Sequence, residues 1–169
     1  MASDPGPTLG SSGRLGGQRG WWLEDAVPGT VLRHPGGRTI GATEHVWLAW
    51  ITHNISDIHG DAHAASRNEW GQPLVLGMLT AAIVIGLAAP ATPQARDGAI
   101  GMSDGWSSIR LTGVVLAGDT LRAESVIHAV DAAPEARSGR VRRTIRGRNQ
   151  RQEVVALVEE ERQVPRRDP

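Results

Sequence analysis

The sequence predicts an α+β domain in which an antiparallel sheet wraps around one long hydrophobic helix. Two observations predict this class. Residues 74–89 form an almost uninterrupted apolar run, which is typical of a helix buried on every side. After residue 100 the pattern changes to the alternation of strands. Because the helix and one face of the sheet both need burial, packing the sheet around the helix satisfies both.

The chain of 169 residues is expected to hold one domain. Residues 1–20 are rich in Gly, Ser and Pro and nearly lack apolar side chains, so we predict a disordered arm there. Residues 164–169 are predicted to be a frayed tail. The folded unit is then residues 21–163. No secretory signal is visible before it, and we therefore expect a cytoplasmic protein.

The first part of the folded unit is predicted to contain short elements. Residues 30–40 should form two extended pieces around a turn at residues 35–37. Thr43 is expected to cap a helix that ends near Thr52. A loop at 54–61 and a short polar helix at 62–67 should follow. Four residues at helical spacing form the expected packing face of the first helix: Val46, Trp47, Trp50 and Ile51.

The apolar run could in principle cross a membrane. No charged residue occurs between Trp70 and Ala95, and the run approaches the ~20 residues that span a bilayer. Pro90 and Pro93 end the helix early, and no aromatic belt follows it. We therefore expect the helix to be the buried centre of a domain and not a membrane span.

The strand-like segments occupy the second half of the chain. They are 100–102, 107–111, 119–130, 140–149 and 153–164. Seven arginines lie in or next to the segment 140–149, and we expect them to form a solvated strand face. One or two of them could bind a phosphate or an acidic partner. These arginines are Arg137, Arg140, Arg142, Arg143, Arg146, Arg148 and Arg151.

The composition excludes several kinds of chemistry. The chain has no Cys, Tyr or Phe, and all eighteen of its basic residues other than His are Arg. Thiolate nucleophiles, disulfides and Schiff-base lysines are therefore excluded, whereas acid–base chemistry by His, Asp and Glu remains. The formal net charge is zero, which argues against nucleic acid or an anionic membrane as partner. Trp47, Trp50 and Trp106 are expected to fill the core.

Three histidines close in sequence, His45, His53 and His63, invite comparison with a metal site. Their spacing fits no common zinc signature, and no Cys is available to complete one. We expect neither a metal nor a cofactor.

Several stretches together resemble one family. Residues 50–59 read Trp-Ile-Thr-His-Asn-Ile-Ser-Asp-Ile-His, and residues 77–82 read Gly-Met-Leu-Thr-Ala-Ala. Residues 104–111, 118–125 and 148–151 continue the match. The sequence resembles the MaoC-like hydratases of the hotdog superfamily, in particular the branch that contains β-methylmalyl-CoA dehydratase and mesaconyl- or itaconyl-CoA hydratase.

This resemblance implies a single hotdog fold that forms a homodimer or a dimer of dimers. It also implies a hydro-lyase reaction, the reversible addition of water to an α,β-double bond. The implied substrate is an acyl thioester of coenzyme A or of a carrier protein.

The resemblance also implies site residues. In the family motif Asp-x-Asn-Pro-x-His, the Asp and the His hold the catalytic water. His59 takes the His position here and Asn54 the Asp position, as Asn also does in the mesaconyl-type branch. Ser56 and Asp57 replace the Asn and the Pro. Since an amide cannot accept a proton, His59 is the expected acid/base residue. Asn54 should position water, with Asp57 or Asp61 as an orienting or replacement carboxylate.

The start of the hydrophobic helix should stabilise the enolate oxygen. Backbone N–H groups at a helix N-terminus are free donors, and the expected donor is Gly77. Leu76 replaces the His of the family's His-Gly pair. Four residues are expected to contact the substrate: Trp50, Ser56, Leu76 and Met78.

The departures at Asn54, Asp57 and Leu76 leave two other functions open. One is a tailoring protein of a biosynthetic pathway that isomerises, cyclises or binds an acyl intermediate. The other is a thioesterase with Asp57 or Asp61 as the water-activating carboxylate. Ser56 and Thr80 are not expected to be nucleophiles, because no triad order is visible.

Overall fold

The structure is a computed structural model that describes residues 22–89 and 102–167. The predicted disordered arm at 1–20 lies outside the described residues. A 3₁₀ turn at Leu23–Asp25 comes first. The remaining elements, in chain order, are β1 (Val31–Arg33), β2 (Arg38–Thr39), α1 (Ala42–Ile51), α2 (Asp57–Gly60), α3 (Ala62–Ala65), α4 (Gly77–Ala88), β3 (Met102–Leu111), β4 (Thr120–Asp131), β5 (Ser138–Arg148) and β6 (Val154–Pro165).

The described strands form one antiparallel sheet with the order β1-β4-β5-β6-β3, and β2 pairs separately with β4. β5 lies at the centre, where Ile145 pairs with Ser125 on one side and with Val158 on the other. β3 lies at the edge, and its pairing with β6 is interrupted by two register shifts. The alternation along β4, β5 and β6 puts one face of each strand inside.

One face of the sheet packs on α4 and forms the main core. A Cβ atom at Gly147 of β5 would lie 2.3 Å from Cγ2 of Val84, so the glycine allows the helix to approach the central strand closely. The predicted architecture, a hydrophobic helix wrapped by an antiparallel sheet, is therefore confirmed. The fully buried side chains around this contact include Ile40, Val84, Leu121, Ile145, Val155 and Val158.

The helix α4 is shorter than the apolar run from which it was predicted. It has 12 residues, or about 18 Å at 1.5 Å per residue. No helix among residues 22–89 and 102–167 is long and apolar enough to cross a membrane.

The first helix faces the core with a different side from the one predicted. Gly41, not Thr43, is the N-cap of α1, and its N–H donates to Glu44 Oε1 at 2.7 Å. The buried residues of α1 are His45 and Ala49. The prediction that Trp47 and Trp50 pack this helix on the core is wrong, because both rings are exposed and lie against each other, with centroids 6.4 Å apart.

Other element boundaries also differ from the predictions. The loop predicted at 54–61 contains the helical turn α2. Residues 102–111 form one continuous strand where two short ones were predicted, and Trp106 on this strand is 48% exposed and does not fill the core. The predicted frayed tail begins too early, since β6 continues to Pro165 and the Arg167 N–H donates to Glu24.

One of the arginines predicted on a solvated face is buried. The side chains of Arg143 and Glu160 are each 1% exposed, and Arg143 Nε and Nη2 both lie 2.6 Å from Glu160 Oε2. Arg143 also donates to Ser125 Oγ and to the carbonyl oxygen of Ala88, the last residue of α4. Arg162 lies on the other side of Glu160, at 3.3 Å. Arg143 points inward because it lies two residues before the buried Ile145, and alternate residues of a strand face the same side.

His34 lies beside this charged cluster and should make the fold sensitive to acid. Burial and then the nearby Arg143 take its pKa from the ordinary 6.5 to about 4. The unfolded chain therefore binds a proton between these two values that the folded chain does not bind. Above pH 6.5 the ring is neutral in both states and costs no stability. As the pH falls from 6.5 towards 4, protonation of the unfolded chain lowers the free energy of unfolding. The shift corresponds to about 3 kcal/mol.

Urea unfolding at pH 7 and pH 5 measures this contribution. We expect His34→Gln, which can keep a hydrogen bond to Ser125, to lose less stability than the wild type between the two pH values. His128→Gln, on β4, controls for the removal of a histidine from the same sheet. The same loss of stability in wild type and His34→Gln would contradict the prediction.

Candidate active site

The segment before α4 is fixed by hydrogen bonds to two other parts of the chain. The Leu74 N–H donates to the carbonyl oxygen of Ile58 at 3.0 Å, and the Val75 N–H donates to that of Val115 at 2.9 Å. Leu74 also forms a β-bridge with Leu116. The first turn of α4 is thereby held against α2 and against the connection between β3 and β4.

The first turn of α4 offers free backbone donors. The N–H groups of Gly77, Met78 and Leu79 precede the first intrahelical bonds, and none of them has an acceptor within residues 22–89 and 102–167. The side chain of Leu111, the last residue of β3, covers Gly77 so closely that a Cβ at position 77 would lie 2.0 Å from Leu111 Cδ1. The glycine therefore lets the edge strand reach the helix start.

His59 lies on α2 with its ring held in one orientation. Its Nδ1 is 2.8 Å from the carbonyl oxygen of Leu74, and a carbonyl oxygen can only accept, so Nδ1 carries a proton. In the neutral ring Nε2 then has a free lone pair. The ring is half-buried, and its backbone N–H donates to the Ser56 carbonyl at 2.9 Å. The chain thus presents one imidazole nitrogen that can take a proton.

The other predicted polar residues surround α2. Asn54 Oδ1 accepts the Ser56 N–H at 3.1 Å, which leaves the Asn54 amide NH₂ without an acceptor among the described residues. The carboxylate of Asp57 is exposed and has no partner there either. Asp61 accepts the Ala64 N–H at 2.9 Å as the cap of α3, and this hydrogen bond lowers the pKa of Asp61. Asp61 is therefore engaged as a helix cap.

His45, considered in the sequence only as a metal ligand, has a place in this region that the sequence did not predict. It is 2% exposed. Its Nδ1 accepts the Leu76 N–H at 3.2 Å, and its Nε2 lies 2.9 Å from the carbonyl oxygen of His59. The His45 and His59 rings meet edge to face with centroids 6.0 Å apart. The sequence feature that could have indicated this burial is the small residue Ala49, four positions after His45. Residues four apart lie on the same face of a helix, and these two form the buried face of α1.

The residues predicted to contact substrate differ in exposure. Trp50 and Met78 are 69% and 63% exposed, and Ser56 is also exposed. Leu76 is buried, so its side chain is not open to a ligand within this chain.

Two cavities border the region. An apolar groove of about 540 Å³ runs between α1 and α4 and is lined by Trp47, Leu48, Ile51 and Leu79 with Thr43, Glu44 and Gly41. A more polar pocket of about 460 Å³ lies beyond Leu116 and includes Trp70, Arg151 and Glu153. Within residues 22–89 and 102–167, no three His, Asp or Glu side chains converge as metal ligands would.

The pattern of one known family covers most of the elements described above. A family model described as "MaoC like domain" matches residues 24–148. This chain belongs to the MaoC-like domain family. The match includes α1, α2, α4 and most of the sheet. No curated protein matches the sequence.

Three solved structures superpose on most of this chain and share its hotdog fold. A MaoC-like dehydratase from Rhodospirillum rubrum superposes with a TM-score of 0.72 at 24% identity, covering 89% of this chain and 100% of that one. A monoamine oxidase regulatory protein from Archaeoglobus fulgidus gives 0.69 at 22% identity, covering 88% and 97%. The R-hydratase PhaJ1 from Pseudomonas aeruginosa gives 0.67 at 22% identity, covering 87% of each chain.

Proposed function

We propose that this MaoC-like chain is a hydro-lyase that adds water to, or removes it from, the α,β-bond of an acyl thioester. One observation carries the proposal: the His59 ring, with Nε2 free, is hydrogen-bonded to the segment that opens α4, whose first N–H groups are free donors. The proposed base and the proposed oxyanion donors thus lie on adjoining parts of the chain. Solved relatives titled dehydratase or R-hydratase agree with this chemistry.

In the hydration direction, His59 Nε2 takes a proton from water while the water oxygen bonds to the β-carbon. The electron pair of the double bond moves onto the thioester carbonyl, and an enolate forms. The imidazolium then returns its proton to the α-carbon, so one H and one OH have been added. The Leu74 carbonyl keeps the ring in the required tautomer throughout.

The Gly77 N–H is the proposed donor to the enolate oxygen. It lies at the positive end of the α4 dipole, where developing negative charge is stabilised. Asn54 is proposed to orient the water through its free NH₂ group, and Asp57, at the start of α2, to assist.

Trp50, Ser56 and Met78 are the accessible substrate contacts in this proposal, whereas Leu76 acts through its backbone. Residues 104–111, 118–125 and 148–151 are the reason we propose the mesaconyl-type branch, and Asn at position 54 agrees with it.

The acyl group is proposed to lie along the groove between α1 and α4, because its lining is apolar. The thiol carrier, coenzyme A or a carrier protein, bears phosphate that exposed arginines could bind. No cofactor is needed for the proposed steps, since His59 both takes and returns the proton.

The active form is proposed to be a homodimer or a dimer of dimers. β3 pairs with β6 along one edge, and its other edge faces no described strand. Trp106, Ile109 and Leu111 on this strand are exposed, which is typical of an edge that pairs with another chain. Sedimentation at a mass near the 18.0 kDa of one chain would contradict this.

An absorbance assay tests the proposed function. Purified protein should deplete the α,β-unsaturation of short enoyl-CoA thioesters near neutral pH, and mesaconyl-CoA is one of the substrates to try. A thiol reagent in a parallel sample detects thioesterase activity. Thiol release without loss of the double bond would replace the hydro-lyase by a thioesterase. No reaction with CoA or carrier-protein thioesters would favour an acyl-binding role.

Asn54→Asp tests whether the site is adapted to an amide. The carboxylate can still accept the Ser56 N–H, but it replaces the NH₂ donor by an acceptor. We expect kcat to fall about 5- to 10-fold, the size of one neutral hydrogen bond. A large gain in rate would instead mean that position 54 lacks a needed base and that the chain has diverged from hydratase chemistry.

A further inference from the structure

We propose that His45 is a positioning residue that ties the His59 segment to the first turn of α4 and so fixes the acid/base group relative to the oxyanion donors. This inference rests on the proposed function. His45 itself touches no reacting atom, and it acts through the backbone of two other residues.

The two hydrogen bonds of His45 require one neutral tautomer. The Leu76 N–H can only donate, so the Nδ1 that faces it at 3.2 Å must be unprotonated. The His59 carbonyl can only accept, so the Nε2 that faces it at 2.9 Å must carry the proton. A protonated ring would place a second donor against the Leu76 N–H. Burial lowers the pKa of His45, which keeps the ring in the neutral form that this bridge needs.

The bridge joins three elements that are otherwise separate in the chain. His45 comes from α1, the His59 carbonyl from α2, and the Leu76 N–H from the residue before α4. α2 has only four residues, too few for a helix to hold its own position. Its contacts with the segment before α4 are the His59 ring and the Ile58 carbonyl, both bonded to Leu74. His45 adds the support from α1.

The bridge should matter for rate because the two catalytic elements lie on either side of it. His59 supplies the proposed base and Gly77, next to Leu76, supplies the proposed N–H donor. Misplacing a reacting group by 1 Å can cost about 100-fold in rate. Loss of the bridge should therefore lower kcat more than it raises KM, since the exposed substrate contacts are unchanged.

Three variants test the inference. His45→Leu fills the same space but breaks both hydrogen bonds. His45→Gln keeps a donor and an acceptor on one amide and can restore part of the bridge. His63→Leu is the matched control, because His63 is an exposed histidine on α3. For each we would measure kcat and KM for an enoyl thioester, the Tm, and the hydrogen exchange of the Leu76 amide.

We expect His45→Leu to lower kcat about 10- to 100-fold with KM changed less than threefold, at temperatures well below its Tm. Exchange of the Leu76 amide should accelerate in this variant. His45→Gln should recover much of kcat and of the Leu76 protection, and His63→Leu should resemble the wild type.

Other outcomes distinguish a failure of the His45 positioning role from a failure of the proposed function. If the wild type is active and His45→Leu lowers Tm but keeps kcat, His45 is only structural and the inference is overturned. If His45→Gln loses as much kcat as His45→Leu while Leu76 stays protected, the bridge is not the cause, which also overturns it. If the wild type hydrates no thioester, the proposed function itself fails and the positioning role falls with it.

Discussion

His59→Asn should lower kcat for enoyl-thioester hydration by about 10²–10⁴-fold, the usual contribution of a positioned acid/base group. An asparagine amide can occupy the place of the imidazole Nδ1 and still donate to the Leu74 carbonyl, which His59 approaches to 2.8 Å. It has no counterpart of Nε2. The variant thus keeps the local hydrogen bond and removes the proton acceptor, so the rate loss reports chemistry and not loop disorder.

Two further variants accompany this measurement. His59→Ala removes the hydrogen bond as well, and we expect its kcat to be no higher than that of His59→Asn. His53→Asn is the control, because His53 is exposed and has a φ of 54°, a conformation that asparagine tolerates. If kcat of His59→Asn is within threefold of the wild type, His59 is not the acid/base residue.

Replacing Arg143 by methionine should lower the free energy of unfolding by about 3–5 kcal/mol. The substitution leaves the Glu160 carboxylate, which is 1% exposed, without its two contacts at 2.6 Å. It also removes the donor to the Ala88 carbonyl at the C-terminal end of α4. Arg162 still lies 3.3 Å from Glu160. This contact is longer than the two from Arg143, so it compensates the buried carboxylate charge less well.

Urea unfolding of matched variants isolates the buried pair. Arg142→Met changes the adjacent residue of β5, whose side chain is exposed, and should change stability by less than ~0.5 kcal/mol. Combining Arg143→Met with Glu160→Leu and Arg162→Met should recover much of the loss, since none of the three buried charges then remains without a partner. If Arg143→Met and Arg142→Met unfold at the same urea concentration, the buried pair does not stabilise the fold as described.

The architecture could be predicted from the sequence because its pattern is strong. A run without charge gave the central helix, and alternation gave the strands β4, β5 and β6 within two residues of their ends. The side of a helix that faces the core was harder to predict where the largest apolar residues do not lie on the buried side. Trp47 and Trp50 are the largest apolar residues of α1, yet His45 and Ala49 face the interior. Helix periodicity defines faces, but it does not tell which face meets the rest of the chain.

The candidate site was predictable only as far as the motif reached. His59, Asn54 and Gly77 follow from the resemblance, and their surroundings agree with the proposed roles without testing them. The burial of His45 and Arg143 was not predicted, because Arg is mostly exposed in proteins and His is buried only to an intermediate degree. Strand parity placed Arg143 beside Ile145 on one face of β5, and this was the signal that it is buried.

The orientation of α4 is fixed by hydrogen bonds from two other elements. Arg143 of β5 bonds its last carbonyl, and His45 of α1 bonds the residue before its first turn. Its outward residues Leu79, Ala82 and Gly86 line grooves and take no part in either attachment. Substitutions at these three positions can therefore change the shape of the grooves, including at Leu79 the groove proposed for the acyl group, while the orientation of the helix start stays the same.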